Sequence, residues 1–438
     1  MIINKREYFN IRPRVLLVGK ETTIKIDAKY NFAIMKEDFY SIMVWPVHQF
    51  ELEKPFFEYR VSTHDGEIEF SFSPTEEQEY TIEVRTDKGL VFKSSIYALE
   101  EDLYNLNVYK GDLHMHTTYS DGIESPEHRL AMCRKKGLDF IAITDHNNFQ
   151  GSNVLKSKVE MMNLGISVLH GEEVHAKNCK VHILSLGASE SVVPFVCKES
   201  EERNQRIRLI EEEYKGKVAE ADMKSFTVAI DVFRKIKEKG GVSFFAHPYW
   251  RVQKAEERKR EDIPLSLSKS LFESKEFDGF ELVSGAPRYE AYNNSYQEKL
   301  YLKYYPNYEM PIIGITDSHT SSDELSTILG LNYTIVFSKT NSQEDILHGI
   351  MNGYSVGVEN FMLESPRLHG KERLCKYGLF LIKEFFKLHD ENAFAEGQML
   401  LRCVEEKNFE TEMIDSWVRY EQDYYDRWFG KKGETYEL

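Results

Sequence analysis

Residues 111–147, GDLHMHTTYSDGIESPEHRLAMCRKKGLDFIAITDHN, decide the fold. His114-Met115-His116 closes the apolar run 107–113. Residues two apart on a strand point to one face, so both imidazoles reach one place while Met115 turns away. Asp121-Gly122 follows, a carboxylate beside a turn glycine. Ser125 and Pro126 read as the N-cap and first residue of a helix that Gly137 closes. A second buried run, 140–144, ends in Asp145-His146. Strand, ligands, helix, strand, ligands: the expected architecture is an α/β barrel with its polar side chains at the strand C-termini, where barrels do chemistry.

The rhythm continues outward. Apolar runs at 166–173, 181–186, 242–246, 279–283, 312–316 and 333–337 alternate with helices expected over 125–136, 157–164, 227–239 and 342–352. The charged segment 197–224, with Ile207, Ile210 and Tyr214 on one helical face, reads as a solvated lid or insertion. Before the barrel, Thr22, Ile24, Ile26 and Ala28 alternate with polar residues, as do Ile68, Phe70, Phe72 and Tyr80, Ile82, Val84. Asp65-Gly66 and Lys88-Gly89 mark hairpins. Residues 1–107 are thus expected to form an antiparallel, immunoglobulin-like β-sandwich of about seven short strands. Its expected role is packing or dimerisation at the active-site mouth, ahead of carbohydrate or partner binding. Residues 108–360 form the barrel, and 361–438 an α-helical region. There Leu374, Gly378, Leu381, Phe385 and Leu388 keep a helical period, and Met413, Trp417, Tyr420 and Tyr424 make a second stripe. Both are read as core, packed on the barrel or across a homo-oligomer contact.

The 438 residues are 41% hydrophobic and 13% aromatic, enough for large cores. No apolar run is as long as a membrane span, and MIINKREYFNIRPR has no apolar signal stretch, so a soluble, cytoplasmic protein is expected. Five scattered cysteines suit reduced thiols better than a disulfide framework. The 56 basic and 72 acidic residues leave a net charge of −16 without a basic block. That argues against non-specific nucleic-acid binding and leaves room for a small anionic substrate held by metal.

Candidate ligands stand at or just past the strand ends: His114, His116, Asp121, His146, Glu173, His182, His247, Asp317 and His319. Asp317-Ser318-His319 repeats the spacing of the first pair, and Pro248 stops a strand as His247 enters the mouth. Imidazole plus carboxylate without thiolate suits Zn, Mn or Fe. Glu172 is the alternative to Glu173. His175, Tyr249 and Arg251 are candidate substrate contacts, with ordinary loop roles weighed equally for the last two; His170 is substrate-side or structural. Asp112 and Asp145 either fix an imidazole tautomer or cap a turn.

D-L-H-x-H, T-D-H, G-x-E, a mid-strand His, A-H-P and D-S-H, in that order over 110–360, resemble the polymerase-and-histidinol-phosphatase (PHP) family. The resemblance implies a distorted seven-stranded (β/α)7 barrel holding two or three divalent ions. One ion would take His114, His116, Glu173 and Asp317; a second would share Glu173 and take His182 and His247. A third would take Asp121, His146 and His319, with Asp121 standing where some members use His. His114, His116, Glu173, His247 and Asp317 would form the catalytic core. The expected activity is that of a metal-dependent phosphoesterase, phosphatase or phosphodiesterase, in which hydroxide bridging two ions attacks phosphorus. No G-x-S-x-G or P-loop offers another route. The alternative is hydrolysis of a carboxylic ester, carbamate or amide at the same metals. A β-rich region ahead of K-G-D-L-H-x-H resembles the family branch with carbamate and amide hydrolases. A binding protein on a degenerate barrel fits complete ligand positions poorly; oligonucleotide degradation stays open.

Overall fold

The computed structural model describes residues 8–33, 35–47, 55–160, 162–249, 263–285, 291–322, 329–360, 364–408 and 412–431; Arg251 lies outside them. The chain divides into two compact units. One comprises residues 1–106, 379–385 and 416–438, the other 107–378 and 386–415.

The first unit contains β1 (Phe9–Arg12), β2 (Val15–Leu17), β3 (Thr22–Ala28), β4 (Phe39–Pro46), β5 (Phe57–Ser62), β6 (Glu67–Phe72), β7 (Gln78–Thr86), β8 (Gly89–Leu99) and the short α1 (Glu101–Tyr104). Its strands form two sheets, β1-β3-β6 and β2-β8-β7-β4-β5. Period-2 alternation puts one side of each strand inside: Ile24, Ile26, Ile68, Phe70, Phe72, Tyr80, Ile82 and Val84 share one core. Lys88-Gly89 does close the β7–β8 hairpin. Asp65-Gly66 also closes a tight antiparallel turn, left-handed at both residues (φ 49° and 80°), across which His64 and Glu67 exchange both backbone hydrogen bonds at 2.9 Å; beyond that bridge β5 and β6 pass into different sheets.

The second unit has strands β9 (Asn107–Asp112), β10 (Phe140–Ala142), β11 (Ser167–Leu169), β12 (Gly171–Val174), β13 (Ile183–Leu186), β14 (Val242–Phe245), β15 (Gly279–Val283), β16 (Ile312–Gly314), β17 (Asn332–Ser338), β18 (Ser355–Glu359) and β19 (Arg367–His369). Between and beyond them run α2 (Pro126–Lys135), α3 (Gln150–Val159), α4 (Val193–Val196), α5 (Glu201–Tyr214), α6 (Glu220–Glu238), α7 (Leu265–Ser274), α8 (Ala291–Tyr304), α9 (Gln343–Met351), α10 (Glu372–Glu384), α11 (Phe386–Glu406) and α12 (Glu412–Phe429). The ladders fall into two sheets, β11-β10-β9-β17-β18-β19 and β12-β13-β14-β15-β16, rather than one closed ring. Both contribute to one core, including Leu113, Phe140, Leu169, Leu184, Phe244, Ile313 and Val336. Bridges His146↔Glu173 and Met115↔Ser318 join them along two seams. At the second seam Thr334 Oγ1 also meets Gly314 N (3.0 Å) and O (2.8 Å).

The strict strand–helix repeat breaks at β12–β13, which pair antiparallel. A parallel return needs a crossover of about a dozen residues or more, and the 175–182 connection is too short for one. α2 starts where expected, Ser125 Oγ accepting from His128 N. α3 begins at Gln150 rather than 157, because Asn148 Oδ1 accepts from Gln150 N (3.0 Å) directly after the strand-end loop. Gly151 in its first turn lies so close to Asp145 that a Cβ would sit 2.2 Å from that carboxylate. α5 is no free lid: Ile210 is buried in the outer core, and Arg206 Nε pairs with Asp231 Oδ1 of α6 at 2.6 Å.

The C-terminal helices are divided between the units, the chain crossing within α10, back between α10 and α11, and again within α12. In the first unit Phe380 packs on Tyr97 and Phe385 on Trp428. In the second, Tyr377 stacks on Phe337. The first stripe is inside, with Leu374, Leu381 and Phe385 buried. The second stripe is not core: Met413 and Tyr420 are 67% and 54% exposed, while Ile414, Glu421 and Trp428 are buried. Periodicity identifies a face of a helix, not which face turns inward.

Candidate metal centre

All of the expected ligands arrive at one rim. His114 and His116 continue β9, His146 follows β10, Glu173 lies in β12, His247 follows β14, and Asp317 and His319 follow β16. His182 precedes β13, and because that strand runs antiparallel its N-terminal end reaches the same rim. Three residues there hold left-handed backbone: Asn147 (φ 49°), His247 (φ 21°) and Asp317 (φ 53°). Each costs on the order of 1 kcal/mol and persists only where neighbours fix it. Their amides donate to Glu173 O (2.8 Å), Glu281 Oε2 (2.9 Å) and His114 O (3.0 Å) respectively.

Glu173 is the hub. Around its Oε2 stand His146 Nδ1 (2.8 Å), His114 Nε2 (3.2 Å) and His116 Nε2 (3.4 Å). Around its Oε1 stand His182 Nδ1 (3.0 Å), His175 Nε2 (3.2 Å) and His247 Nε2 (3.3 Å). Asp317 Oδ1 faces His116 Nε2 (3.0 Å) and His114 Nε2 (3.3 Å). Nearer solvent, Asp121 meets His319 Nε2 (3.3 Å) and His146 Nε2 (3.4 Å), with His116 Nδ1 at 3.8 Å. The side chain of Glu173 is 1% exposed and that of Asp121 56%, so the rim grades from buried to open.

The donor atoms therefore cluster as His114–His116–Glu173–Asp317, Glu173–His182–His247 and His116–Asp121–His146–His319, with two further groups, His114–His247–Glu281 and His146–Glu173–His175. Donors about 2.0–2.1 Å from a tetrahedral cation lie about 3.3 Å from one another, which is the spacing found here. Among the described residues His114 Nε2, His146 Nδ1, His175 Nε2 and Glu173 Oε2 are buried without a hydrogen-bond partner. Buried polar atoms are nearly always satisfied, so this concentration of orphans at one rim fits divalent cations.

The electrostatics point the same way. Burial alone would raise the Glu173 carboxyl, but His114 and His182 hold it well below the usual carboxylate range. Burial pushes His114 down, yet Glu281, Asp317 and Glu173 carry it well above the usual imidazole value. His247, opposed by burial and raised by Glu173, Asp317 and Glu281, reaches about 9. Protons and divalent cations thus compete for these imidazoles.

The supports are partly unexpected. Glu281 of β15 accepts from His114 Nδ1 (2.7 Å), leaving Nε2 to face Glu173 and Asp317. It is the only charged residue of a strand, GFELV, that is buried throughout, a signal the apolar run concealed. Arg129 of α2, fully buried, donates to the carbonyls of His116 (2.9 Å) and Ser318 (2.8 Å), tying two ligand-bearing ends together. Asp112 accepts from Thr316 N and His114 N, and Asp145 from Thr117 and Ser120, so both brace backbone turns. Gly122 is required where it stands, since a Cβ would lie 2.5 Å from the His116 carbonyl. Glu172 points away and holds Ser191 Oγ and Val192 N. His170 packs on Phe149. Tyr249 lies against Tyr296 and the outer core.

Residues 112–239 match the family model of the PHP domain. That stretch of the chain is similar to a PHP domain. The match covers His114 to His182; His247, Asp317 and His319 lie beyond it and are brought to the same rim by the fold. An uncharacterized protein of Methanocaldococcus jannaschii is 27% identical over 33% of this chain and 71% of its own length. A phosphoribosyl 1,2-cyclic phosphate 1,2-diphosphodiesterase of Eggerthella lenta is 34% identical over 25% of this chain, and the chain spans under half of that relative, 46%. A two-domain protein of Bacteroides vulgatus, described as containing a predicted PHP-like metal-dependent phosphoesterase, shares 20% identity. It covers 64% of this chain and 71% of its own, with a TM-score of 0.43. No described helix is long and apolar enough to cross a membrane.

Proposed function

We propose that this chain is a metal-dependent phosphoesterase, a phosphatase or phosphodiesterase acting on a small anionic substrate. The observation that carries the reading is Glu173, each of whose oxygens faces three imidazole nitrogens, the arrangement of a carboxylate shared between two cations. The PHP domain and the phosphodiesterase relative support the reaction class. In the same reading the two sheets of the second unit are a distorted (β/α)7 barrel, the ions are Zn, Mn or Fe, and the protein works in the cytoplasm.

His114, His116, Glu173 and Asp317 would hold one ion, Glu173, His182 and His247 another, and Asp121, His146 and His319 a third. Bound divalent ions supply Lewis acidity and bring the pKa of water down to about 7. Glu281 keeps His114 in the tautomer that presents Nε2 to the cluster. Asp121 and His319, with side chains 56% and 38% exposed, put the third group where a phosphate oxygen enters from solvent. Two carboxylates, the buried Glu173 and the partly buried Asp317, are outnumbered by the charge of two divalent ions, so the loaded rim attracts an anion within an acidic protein.

A second reading, hydrolysis of a carboxylic ester, carbamate or amide, is favoured by the β-sheet unit that precedes Lys110-Gly111-Asp112-Leu113-His114. Parallel assays of Mn-, Zn- and Fe-loaded protein on p-nitrophenyl phosphate, bis-p-nitrophenyl phosphate and p-nitrophenyl acetate separate the two. Phosphoester turnover is expected; ester turnover alone would replace the first reading with the second.

A further inference from the structure

On the metal-centre reading above, we propose that Ser120 is a positioning residue that fixes the tautomer of His116. It accepts from His116 Nδ1–H, commits Nε2 to the cation of His114, Glu173 and Asp317, and leaves the open position to Asp121, His146 and His319. Ser120 Oγ lies 2.7 Å from Asp145 Oδ1 and 3.4 Å from His116 Nδ1. Asp145 is fully buried and also accepts from Thr117 N and Thr117 Oγ1, each at 2.7 Å. An ionised carboxylate only accepts, so the single hydroxyl proton of Ser120 goes to Asp145. Oγ then has only lone pairs to offer, and the ring nitrogen facing it carries the proton.

In the neutral ring Nε2 is consequently bare. It faces Asp317 Oδ1 at 3.0 Å and Glu173 Oε2 at 3.4 Å, two acceptors that a bare nitrogen shares only through a cation. The other imidazole of the pair is held the same way, with His114 Nδ1 on Glu281 at 2.7 Å. Asp121 Oδ1 is 3.8 Å from His116 Nδ1, farther than the serine, and a proton on that nitrogen bars it from binding a cation there. The serine is itself fixed, since its amide and that of Gly122 both donate to Thr117 O at 3.0 Å. With His116 withdrawn, the open position keeps two imidazoles and one carboxylate, a set of three that leaves a place for a substrate oxygen.

The test is Zn2+ affinity of the full chain, by chelator competition, for wild type, Ser120→Ala and Ser120→Thr, beside the denaturation midpoint of each metal-free protein. Ser120→Ala is expected to weaken one tight class of Zn2+ by about 10–100-fold, the effect of losing the partner that orients a ligating imidazole. Ser120→Thr, which keeps the hydroxyl, should restore the affinity. Unchanged Zn2+ affinity in Ser120→Ala, whatever its midpoint, would make the serine a loop brace and overturn the proposal, as would equal losses in both variants. Should Ser120→Ala fail to fold, ring-nitrogen NMR spectra of Zn2+-loaded wild type decide. His116 is expected with its proton on Nδ1 and the ion on Nε2, and the reverse overturns the assignment. Wild type that binds no Zn2+, Mn2+ or Fe2+ would instead defeat the metal-centre reading itself.

Discussion

The second unit buries two clusters of charge, and they are built on opposite principles. At the strand beginnings, Arg134 pairs with Asp139 (2.8 Å) and Glu396 (2.5 Å), and His389 bridges Asp139 (2.7 Å) and Asp390 (3.0 Å). Lys110 completes it on Asp390 at 2.6 Å. Glu396 also accepts from Gly165 N, and none of these side chains leaves a buried nitrogen or oxygen unpartnered. At the strand ends Glu173, Asp317 and Asp121 form ion pairs with imidazoles alone among the described residues, and several donor atoms remain unpartnered. Burial of charge therefore does not by itself mark a functional site. Incomplete pairing does, because an unsatisfied buried group is costly unless something outside the chain completes it.

That contrast can be broken most directly at its hub. Glu173→Gln should cut phosphoester turnover by about 10³-fold, since losing about 4 kcal/mol of metal-derived charge stabilisation corresponds to that factor. Its chemical denaturation midpoint should fall little, and a variant that unfolds instead would make Glu173 a structural residue. The opposite pattern is expected from Arg134→Met, which strands Asp139 and Glu396: stability lost by about 3–5 kcal/mol in denaturant titrations, with unchanged metal per folded chain. Metal loss in that variant would erase the distinction between the clusters. Glu281→Gln should weaken metal binding by about 10–100-fold, measured by chelator competition, because it loosens His114 without removing a ligand. An unaltered affinity would show that the His114 tautomer needs no such support.

The smallest effect concerns pH. Burial pushes His389 down, but Asp139 and Asp390 raise it above 6.5; burial pushes Asp139 up, but His389 and Arg134 hold it below 3.8. The His389 contribution is full below 6.5 and fades as pH rises through its raised folded value. The Asp139 contribution is full above 3.8 and fades as pH falls through its lowered one. Denaturation midpoints of wild type and His389→Gln should thus differ most between about 4 and 6.5 and converge toward alkaline pH. A gap that widens with pH would reverse the assigned charge states.

Much of the rim was legible because strand geometry is strict. His114/His116 and Asp317/His319 share parity, and Glu173 and Glu172 face opposite ways for the same reason. Glu281 was hidden, since a lone acid in a buried strand shows its partner only when another strand end is brought beside it. Arg129 was hidden likewise, reaching carbonyls 13 and 189 residues away in sequence. The antiparallel β13 was implicit in a short connection, and it is what delivers His182 to the rim. The stripe of α12 misled because helical spacing is silent about which neighbour a face meets. Met413 and Tyr420 ended outside, with Ile414 and Trp428 taking the inner positions.

The central claim is that the unpartnered imidazoles and carboxylates at the strand ends are completed by divalent cations. Elemental analysis of gently purified protein, before and after chelation, tests it most directly. About two or three equivalents of Zn, Mn or Fe per chain are expected, lost to chelator with phosphoester turnover and regained with it. A folded protein that carries less than one equivalent, and turns over phosphoester unchanged in chelator, would contradict the claim.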